Sequence, residues 1–534
     1  MQNKSASPAS DVPISDGLWS DASRMRMALL VILALAATIR LYKVGEQDYW
    51  MDEIHTLTNA AGRRAEYEDV PHGVILPTPA RFTDVPVDCN WLCVWRGMEA
   101  DSHPPVFFVF FHFWRQAFGD AEFVARVPAV IFSVLSIYVV TLIPRARGGS
   151  GEGLWIGLAL TFAYSHVFMA QQARPYTLAL VFVAMSYWAL TKMEVGWPSF
   201  SRRQIMLWAS LYGAMCYLAV LTHYFAGFAL LGHIVVIGFG RDRALTRSWA
   251  VAAVLALFAF VLTWGQKLVA QWDFIESHIW LLEEGSDHAW RTLLRLTDLP
   301  VRLLFDHREF QLSYVLSLIG VVLVAGPVVV LWRRRARHAL VFAAWYLVPV
   351  LTFAVIDLAT QRQTLTHLRY TSVAAPGLAG MLMLAVLELR RPLRWGCLAA
   401  LAGAVFLTLR LPTQDNPHNR LAASAIAQRV TPDTLLVFDA IDWPPFWVAQ
   451  IYHNVAYYLP AFVKGPLPEC VLLRDEPDAE LVEQMAKYPR IVVVSPRVGV
   501  VPNPVPGRFV PDHRTEHVHQ IGKIYLFVRE PDGG

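Results

Sequence analysis

Apolar residues gather into repeated blocks along this chain, and shorter polar segments separate one block from the next. Most blocks are roughly 17 to 22 residues long, the length that crosses a bilayer as an α-helix. We therefore predict a polytopic α-helical membrane protein with about 11 transmembrane helices. The predicted spans cover residues 27–42, 123–143, 152–169, 175–191, 204–221, 224–240, 248–265, 311–331, 339–357, 371–388 and 395–410.

The composition agrees with this pattern. Hydrophobic residues make up 55% of the 534 residues and charged residues only 17%, whereas soluble domains usually carry about 25% charged residues. The mean hydropathy is +0.38. A net charge of +3 indicates no particular partner, and the chain has no basic patch or nucleic-acid motif. We expect membrane lipids around the chain and no nucleic-acid partner.

Basic residues predict the side on which each connection lies, because Lys and Arg concentrate in short cytoplasmic loops. With the N-terminus inside, every second connection is basic and all the basic sets fall inside. This requires the short stretch 104–118, which contains His112 and Arg115, to be an interfacial helix rather than a span. The basic sets are Arg145/Arg147, Lys192/Arg202/Arg203, Arg241/Arg243/Arg247, Arg333/Arg334/Arg335/Arg337 and Arg390/Arg391/Arg394.

The polar segments divide the chain into three predicted parts. Residues 1–23, rich in Ser, Ala and Asp, form a disordered cytoplasmic tail; a cleaved signal peptide ending near Ala34-Leu35-Ala36 is the alternative. Residues 24–410 form the transmembrane domain, with outer loops at about 44–122 and 266–310. Residues 411–534 form a small extracytoplasmic α/β domain, because strand-like and helical patterns alternate there. The strands are LLVFDA (435–440), RIVVVSP (490–496) and KIYLFVRE (523–530), and the helices are VAQIYHNVAYYL and DAELVEQMAKY.

Polar clusters at the predicted outer ends of the spans indicate a site at that face. The segment QDYWMDEIHT places two carboxylates, Asp52 and Glu53, about ten residues beyond the first apolar run. Each polar residue alone is explained by helix capping, but segments distant in sequence bring many of them to one membrane face. The other members are His103, Arg126, Gln171, Gln172, Arg174, Tyr176, His223, Tyr224, Gln361, Arg362, His367, Arg369 and Tyr370.

Four motifs in this order resemble a superfamily of membrane glycosyltransferases. They are WMDE, SHPPVFFVFFHFW, FGDAEFVARVPAV and QQARPYTLAL, with a weaker fifth in LRYTSVAAPGLAG. The resemblance is to the GT-C class, which includes protein O-mannosyltransferases, the aminoarabinose transferases of lipid A and relatives that modify lipopolysaccharide core. It implies a polyprenyl-phosphate-linked sugar as donor and a glycan, lipid or protein as acceptor. It also implies a bacterial inner membrane, with the active site facing the periplasm.

The same resemblance places the catalytic carboxylate at Asp52. We expect Asp52 to take the proton of the acceptor hydroxyl, with Glu53 orienting a neighbour or the acceptor. Guanidinium groups stabilise the charge of a departing phosphate, and snorkelling towards lipid headgroups is their alternative role. The candidate substrate-binding residues are Arg126, Arg174, Arg369, His103, Tyr176, His223, Tyr224 and Tyr370. In the His103-Pro104-Pro105 motif, a purely structural role at a helix start is the alternative.

Several alternatives stay open at this stage. Asp52, Glu53 and His55 offer ligands for a divalent cation, but a monophosphate leaving group needs less neutralisation, so we predict no obligatory metal. Cys89 and Cys93 are close enough for a disulfide only in some conformations. His517 and His519 are predicted to be surface residues. A ligase or polymerase with a diphosphate donor shares this topology, and a transporter, which would show internal repeats, is the non-enzymatic alternative.

The predicted topology is testable by labelling. A cysteine placed at Gly285 should react with a membrane-impermeant thiol reagent in intact cells, because this position lies in an outer loop, while a cysteine at Arg243 should not. The unsubstituted chain measures the background from native cysteines. Equal labelling at both positions would contradict the eleven-span topology.

Overall fold

The structure is a computed structural model, and helices make up most of it. It describes residues 22–197, 199–239, 242–277, 281–283, 285–306, 314–334, 336–411, 418–441, 445–495, 509–511, 516–518 and 522–529. The chain divides into two compact units. The bundle unit draws on the ranges 1–42, 127–266 and 276–413, and the sheet unit on 43–126, 267–275 and 414–534.

The bundle unit is built from apolar helices. In the part of the chain that the structure describes, eight helices are long and apolar enough to cross a membrane. They are Ala22–Leu41, Glu122–Ala146, Tyr176–Gly196, Arg202–Thr222, Arg243–Trp272, Tyr314–Arg333, Leu340–Thr360 and Leu368–Leu387. The span Arg243–Trp272 contains a π-helical turn at Val261–Gly265, and the helix that follows it, Gln266–Ser277, passes into the sheet unit. The shorter helices are Ser150–Phe162, Tyr164–Ala170, Ala226–Gly238, His288–Leu304 and Arg391–Thr408.

These helices confirm the predicted fold class of an integral, polytopic helical protein. Eight of the predicted spans coincide with the eight long helices. The predicted span 152–169 is a pair of helices bent by 64°, 224–240 contains a helix of only 13 residues, and 395–410 lies in Arg391–Thr408. The count of eleven spans therefore stays a prediction. The first helix begins at Ala22, and the predicted tail before it lies outside the described residues.

A wholly buried arginine holds the bent pair in place. The guanidinium of Arg40 donates to the carbonyls of Leu160 and Thr161, at 3.1 Å each, where the first helix of the pair ends. It also donates to Ser133 Oγ at 2.7 Å and to His166 Nδ1 at 2.9 Å. Carbonyls freed at a helix break need donors inside a membrane protein, and a cation suits the negative end of a helix. Arg40 therefore stabilises the break.

Seven strands in the described part of the sheet unit form one mixed sheet. They are β1 Ile75–Leu76, β2 Thr434–Asp439, β3 Glu469–Leu473, β4 Arg490–Ser495, β5 Phe509–Pro511, β6 Glu516–Val518 and β7 Gly522–Arg529. Their order is β1-β3-β2-β4-β7-β5, with β6 also paired to β7. The central strands β3, β2 and β4 are parallel and almost completely buried, which explains their unbroken apolar sequences. The predicted strands at 435–440, 490–496 and 523–530 are confirmed as β2, β4 and β7, and both predicted helices are confirmed. The helices in the C-terminal part of this unit are Asn419–Ala427, Pro445–Tyr458 and Ala479–Met485.

The predicted domain division needs a correction, because the loop 43–126 folds with the C-terminal region. Strand β1 comes from this loop and pairs antiparallel with β3. Ala80 N donates to the hydroxyl of Tyr452 at 2.7 Å, and His453 Nε2 donates to the carbonyl of Tyr67 at 2.9 Å. The predicted boundary at 411 is close to the observed one, but the loop predicted at 44–122 belongs with the region after it. The loop predicted at 266–310 is divided between the two units.

The loop 43–126 carries helices Met51–Ala60, Arg64–Glu68, Trp91–Gly97 and Val106–Phe118. The disulfide between Cys89 and Cys93, left open by the sequence, is formed, with the two Cα atoms 5.6 Å apart. The predicted interfacial stretch 104–118 is the helix Val106–Phe118, and its interfacial location stays a prediction. His517 lies in β6, and His519 lies outside the described residues.

Candidate active site

The predicted catalytic carboxylates begin the helix Met51–Ala60 in the sheet unit. Asp52 and Glu53 are its second and third residues, and both are buried. The positive end of the helix dipole favours negative charge in the first turn. Successive residues of an α-helix point about 100° apart, so the two carboxylates face different surroundings.

Glu53 is paired with Arg126 in the interior of the unit. Arg126 Nε donates to Oε1 at 2.8 Å and Nη2 donates to Oε2 at 2.6 Å, and neither side chain has any exposed surface. Glu53 Oε2 also accepts from the backbone N–H of Trp50 at 3.4 Å. Removing one partner of such a pair costs about 3 to 5 kcal/mol, since the other charge is left buried. Glu53 is therefore fixed by Arg126, and its orienting role in catalysis stays a prediction.

The remaining donors of Arg126 hold the backbone before the helix. Nη1 donates to the carbonyls of Val44 at 2.8 Å and Gln47 at 2.9 Å, and Nη2 donates to the carbonyl of Asp48 at 3.1 Å. Together with the two bonds to Glu53, these engage all five N–H groups of a guanidinium. The predicted contact between Arg126 and the donor phosphate does not fit this arrangement. Arg126 instead positions the segment that leads to Asp52.

His103 belongs to a second buried polar cluster in the same unit, centred on Asp101. Oδ1 of Asp101 accepts from both N and Nδ1 of His103, at 2.9 and 2.8 Å. Oδ2 accepts from Arg64 Nε at 2.8 Å and from Asn59 Nδ2 at 3.1 Å. Burial raises the pKa of Asp101, but the hydrogen bond and charge of His103 and the charges of Arg64 and His55 outweigh it and hold the pKa well below its ordinary value. Asp101 therefore fixes the orientation of His103, whose contact with substrate stays a prediction.

In the bundle unit, four predicted residues line one cavity. Tyr176, His223, Arg369 and Tyr370 form part of its wall. The rings of Tyr176 and His223 lie 5.2 Å apart, and the Arg369 guanidinium lies 5.1 Å from the centre of the Tyr370 ring. The sequence therefore identified residues that meet in space although they come from three separate segments.

Arg174 and Tyr224 lie beside this cavity rather than in its wall. The Arg174 guanidinium is 5.6 Å from the centre of the Tyr176 ring. The hydroxyl of Tyr224 accepts from Trp264 Nε1 at 2.7 Å. Arg174 is therefore adjacent to the cavity, while Tyr224 faces the indole of Trp264.

Sequence reasoning missed a histidine in the wall of the same cavity. His166 lines it, and its Nδ1 accepts from Arg40 while Nε2 lies 3.1 Å from Ser136 Oγ. An ionisable residue within an apolar span is by default a candidate functional residue. Arg40 and His166 are both ionisable residues within predicted apolar spans, so the sequence did carry this signal.

A second cavity in the bundle unit is almost wholly apolar and has a volume of about 340 Å³. Residues from several helices line it, including Trp155, Phe162, Phe305, Met383, Leu401 and Phe406. Its chemistry suits a hydrocarbon chain rather than a sugar.

The predicted site residues are thus divided between the two units. Asp52, Glu53, His103 and Arg126 belong to the sheet unit, and the others belong to the bundle unit. That the two sets form one site stays a prediction. Among the described residues, no three His, Cys, Asp or Glu side chains come together as a metal site. The prediction of no obligatory metal stays untested.

Comparisons with known proteins bear on the family and the fold. Residues 102–264 match the family model described as dolichyl-phosphate-mannose-protein mannosyltransferase. No curated protein sequence gives a significant match. The family match covers the motifs from His103 to Tyr224.

Solved structures match over most of the chain. ArnT from Cupriavidus metallidurans in the apo state has a TM-score of 0.57 at 14% identity, covering 95% of this chain and 98% of that one. The same protein bound to undecaprenyl phosphate has a TM-score of 0.58 at 15% identity, covering 93% and 97%. The apo oligosaccharyltransferase of Archaeoglobus fulgidus has a TM-score of 0.50 at 11% identity, covering 89% and 70%. The predicted GT-C-like fold and the resemblance to this superfamily are confirmed.

The Asp101 cluster predicts a pH-dependent stability. Because the pKa of Asp101 is depressed in the folded chain, its carboxylate stabilises the fold fully above the unfolded pKa of about 4, and this contribution is lost as the pH falls through the folded pKa. Asp101→Asn should therefore destabilise the protein at pH 7 by about 3 to 5 kcal/mol, and by less near pH 3. Thermal unfolding in detergent measures this.

The matched control is Asp84→Asn, which breaks an exposed ion pair with Arg81 and should change stability by less than about 1 kcal/mol. Equal losses in the two variants, or a loss for Asp101→Asn that does not shrink at low pH, would contradict the role of this cluster.

Proposed function

We propose that this protein is a glycosyltransferase that moves a sugar from a polyprenyl-monophosphate carrier to an acceptor hydroxyl at the outer face of the membrane. The observation that carries the proposal is the buried Glu53–Arg126 pair, which holds the start of the helix that presents Asp52. This is the position at which the family resemblance implies the catalytic carboxylate. The confirmed GT-C-like fold supports the same conclusion.

In the proposed reaction, the acceptor oxygen forms a bond to the anomeric carbon while the bond from that carbon to the phosphate oxygen breaks. The hydroxyl proton passes to Asp52, and polyprenyl phosphate departs. A hydroxyl is a poor nucleophile, so a carboxylate that accepts its proton contributes roughly 10²- to 10⁴-fold. Glu53 cannot easily take this role, because both of its oxygens are bound by Arg126.

The bundle unit offers the groups that a lipid-linked phosphate requires. Arg369, in the wall of the cavity that Tyr176 and His223 also line, would stabilise the charge that the phosphate gains in the transition state. Arg174, beside Tyr176, is a second cation at this place. The apolar cavity of about 340 Å³ has the character needed for part of a prenyl chain. ArnT, which shares the fold, is known in a complex with undecaprenyl phosphate, and this supports a polyprenyl phosphate here.

The finer assignments belong to the same proposal. The transferred sugar is a hexose or a pentose, the acceptor is a glycolipid, polysaccharide or protein, and the membrane is a bacterial inner membrane with the site facing the periplasm. A lipid-linked glycan ligase or polymerase with a diphosphate donor is the second candidate, because an oligosaccharyltransferase has a similar fold. Consumption of a polyprenyl-monophosphate sugar by purified protein separates the two.

The role of Asp52 predicts a selective loss of turnover. Asp52→Asn keeps the size and shape of the side chain but cannot take a proton, so kcat should fall by about 10²-fold or more. Donor binding and protein level should stay near those of the wild type. Glu53→Gln, in contrast, should reduce thermal stability as well as turnover, since it leaves Arg126 buried without its counter-charge. An Asp52→Asn enzyme with wild-type turnover would show that the base lies elsewhere.

The role of Arg369 predicts a loss of transition-state stabilisation. Arg369→Ala should raise the activation free energy by roughly 2 to 4 kcal/mol, as the removal of other oxyanion donors does, and so lower kcat. It should have little effect on the melting temperature. Arg391→Ala, at an exposed helix start in the same unit, is the matched control and should be silent. If the two variants turn over equally, Arg369 is a headgroup anchor rather than a catalytic group.

A further inference from the structure

The C-terminal region reaches the backbone directly before the catalytic helix. Asn419 Nδ2 donates to the carbonyl of Tyr49 at 2.6 Å. The backbone N–H of Tyr49 donates to the hydroxyl of Tyr458 at 2.7 Å. The backbone N–H and the carbonyl of Tyr49 are therefore both bound by side chains that lie more than 360 positions away in the sequence. Tyr49 itself has no exposed surface.

The neighbouring Asp48 is held by the same region. Arg420 donates its backbone N–H to Asp48 Oδ2 at 2.7 Å, and its Nε lies 3.4 Å from Oδ1. The Arg420 guanidinium also pairs with Glu122, whose Oε1 accepts from the hydroxyl of Tyr458 at 2.8 Å. Asp48, Glu122 and Tyr458 are all buried. The contacts thus form one continuous network rather than separate surface bonds.

Two parts of the chain bind the backbone polar groups of the segment Gln47–Trp50. Arg126 takes the carbonyls of Gln47 and Asp48, whereas the C-terminal region takes both backbone groups of Tyr49. Each buried polar group needs a partner, so neither Arg126 nor the C-terminal region alone can hold the segment. Asp52 lies only two residues beyond it, and a misplacement of about 1 Å at a reacting group can cost 10²-fold in rate.

We infer that Asn419, Arg420 and Tyr458 are positioning residues that set the direction of Asp52, Asn419 and Tyr458 through Tyr49 and Arg420 through Asp48. The C-terminal region is then a structural part of the active site. This inference rests on the proposed function, in which Asp52 is the base. Its mechanism is indirect, because the three residues act on the segment before the helix.

Two tyrosines of one helix provide a matched test. Tyr458 and Tyr452 both lie in Pro445–Tyr458, both are buried, and the hydroxyl of each accepts a backbone N–H from the loop 43–126 at 2.7 Å. Only Tyr458 binds the segment before Asp52, since Tyr452 binds Ala80. Tyr458→Phe should lower kcat by roughly 10-fold or more with an unchanged donor KM. Tyr452→Phe should leave kcat within about 2-fold of the wild type, even if its melting temperature falls as much as that of Tyr458→Phe.

Asn419→Ala provides a second variant if Tyr458→Phe does not fold, because it removes the bond to the Tyr49 carbonyl and leaves Tyr458 in place. It should give the same pattern of lowered kcat and unchanged donor KM. Equal loss of kcat in the Tyr452 and Tyr458 variants would overturn the inference, since the contacts would then serve stability alone.

A double-mutant cycle tests the route through Asp52. In an Asp52→Asn background, Tyr458→Phe should cause no further loss, because residues that act through one group are not additive. A full additional loss would overturn the inference while leaving the proposed function intact. Wild-type turnover of Asp52→Asn itself would overturn both, so the two failures are distinguishable.

Discussion

The buried ion pair between Glu53 and Arg126 is the constraint on which the candidate site depends. Neither side chain is exposed, so each charge must be compensated within the fold. Glu53 balances the charge of Arg126 and accepts two of its five N–H groups, and backbone carbonyls accept the other three. The path of the chain before Asp52 is therefore determined by where those carbonyls must lie.

The same need to compensate a buried charge applies to a second arginine, Arg40. Arg40 and Arg126 are both wholly buried, and both direct their donors towards backbone carbonyls at places where the chain turns away from a helix. Arg369 instead lines a cavity together with Tyr176 and His223. All five N–H groups of Arg126 are engaged by Glu53 and by backbone carbonyls, so we assign Arg126 a structural role. The proposed phosphate contact of Arg369 rests on its place in the wall of the cavity.

Hydropathy was enough to predict the long helices and the strands β2, β4 and β7, because each is a local pattern. It was not enough to predict the break at Ala163, where no proline or glycine marks the bend and the stabilising group, Arg40, comes from another helix. Nor could it show that the loop 43–126 joins the C-terminal sheet, since β1 has only two residues and its partner is almost 400 positions away. Asp52 was found by resemblance, whereas the role of Arg126 needed the geometry of its five donors.

These long-range contacts limit how the C-terminal region can vary. The exposed surface of this region is free to change, but the face that carries Asn419, Arg420 and Tyr458 must keep its place against Asp48 and Tyr49. Replacement of the C-terminal region by another would therefore preserve catalysis only where those three contacts are rebuilt. The segment before the helix Met51–Ala60 is thus held by residues from distant parts of the chain, through two adjacent buried residues.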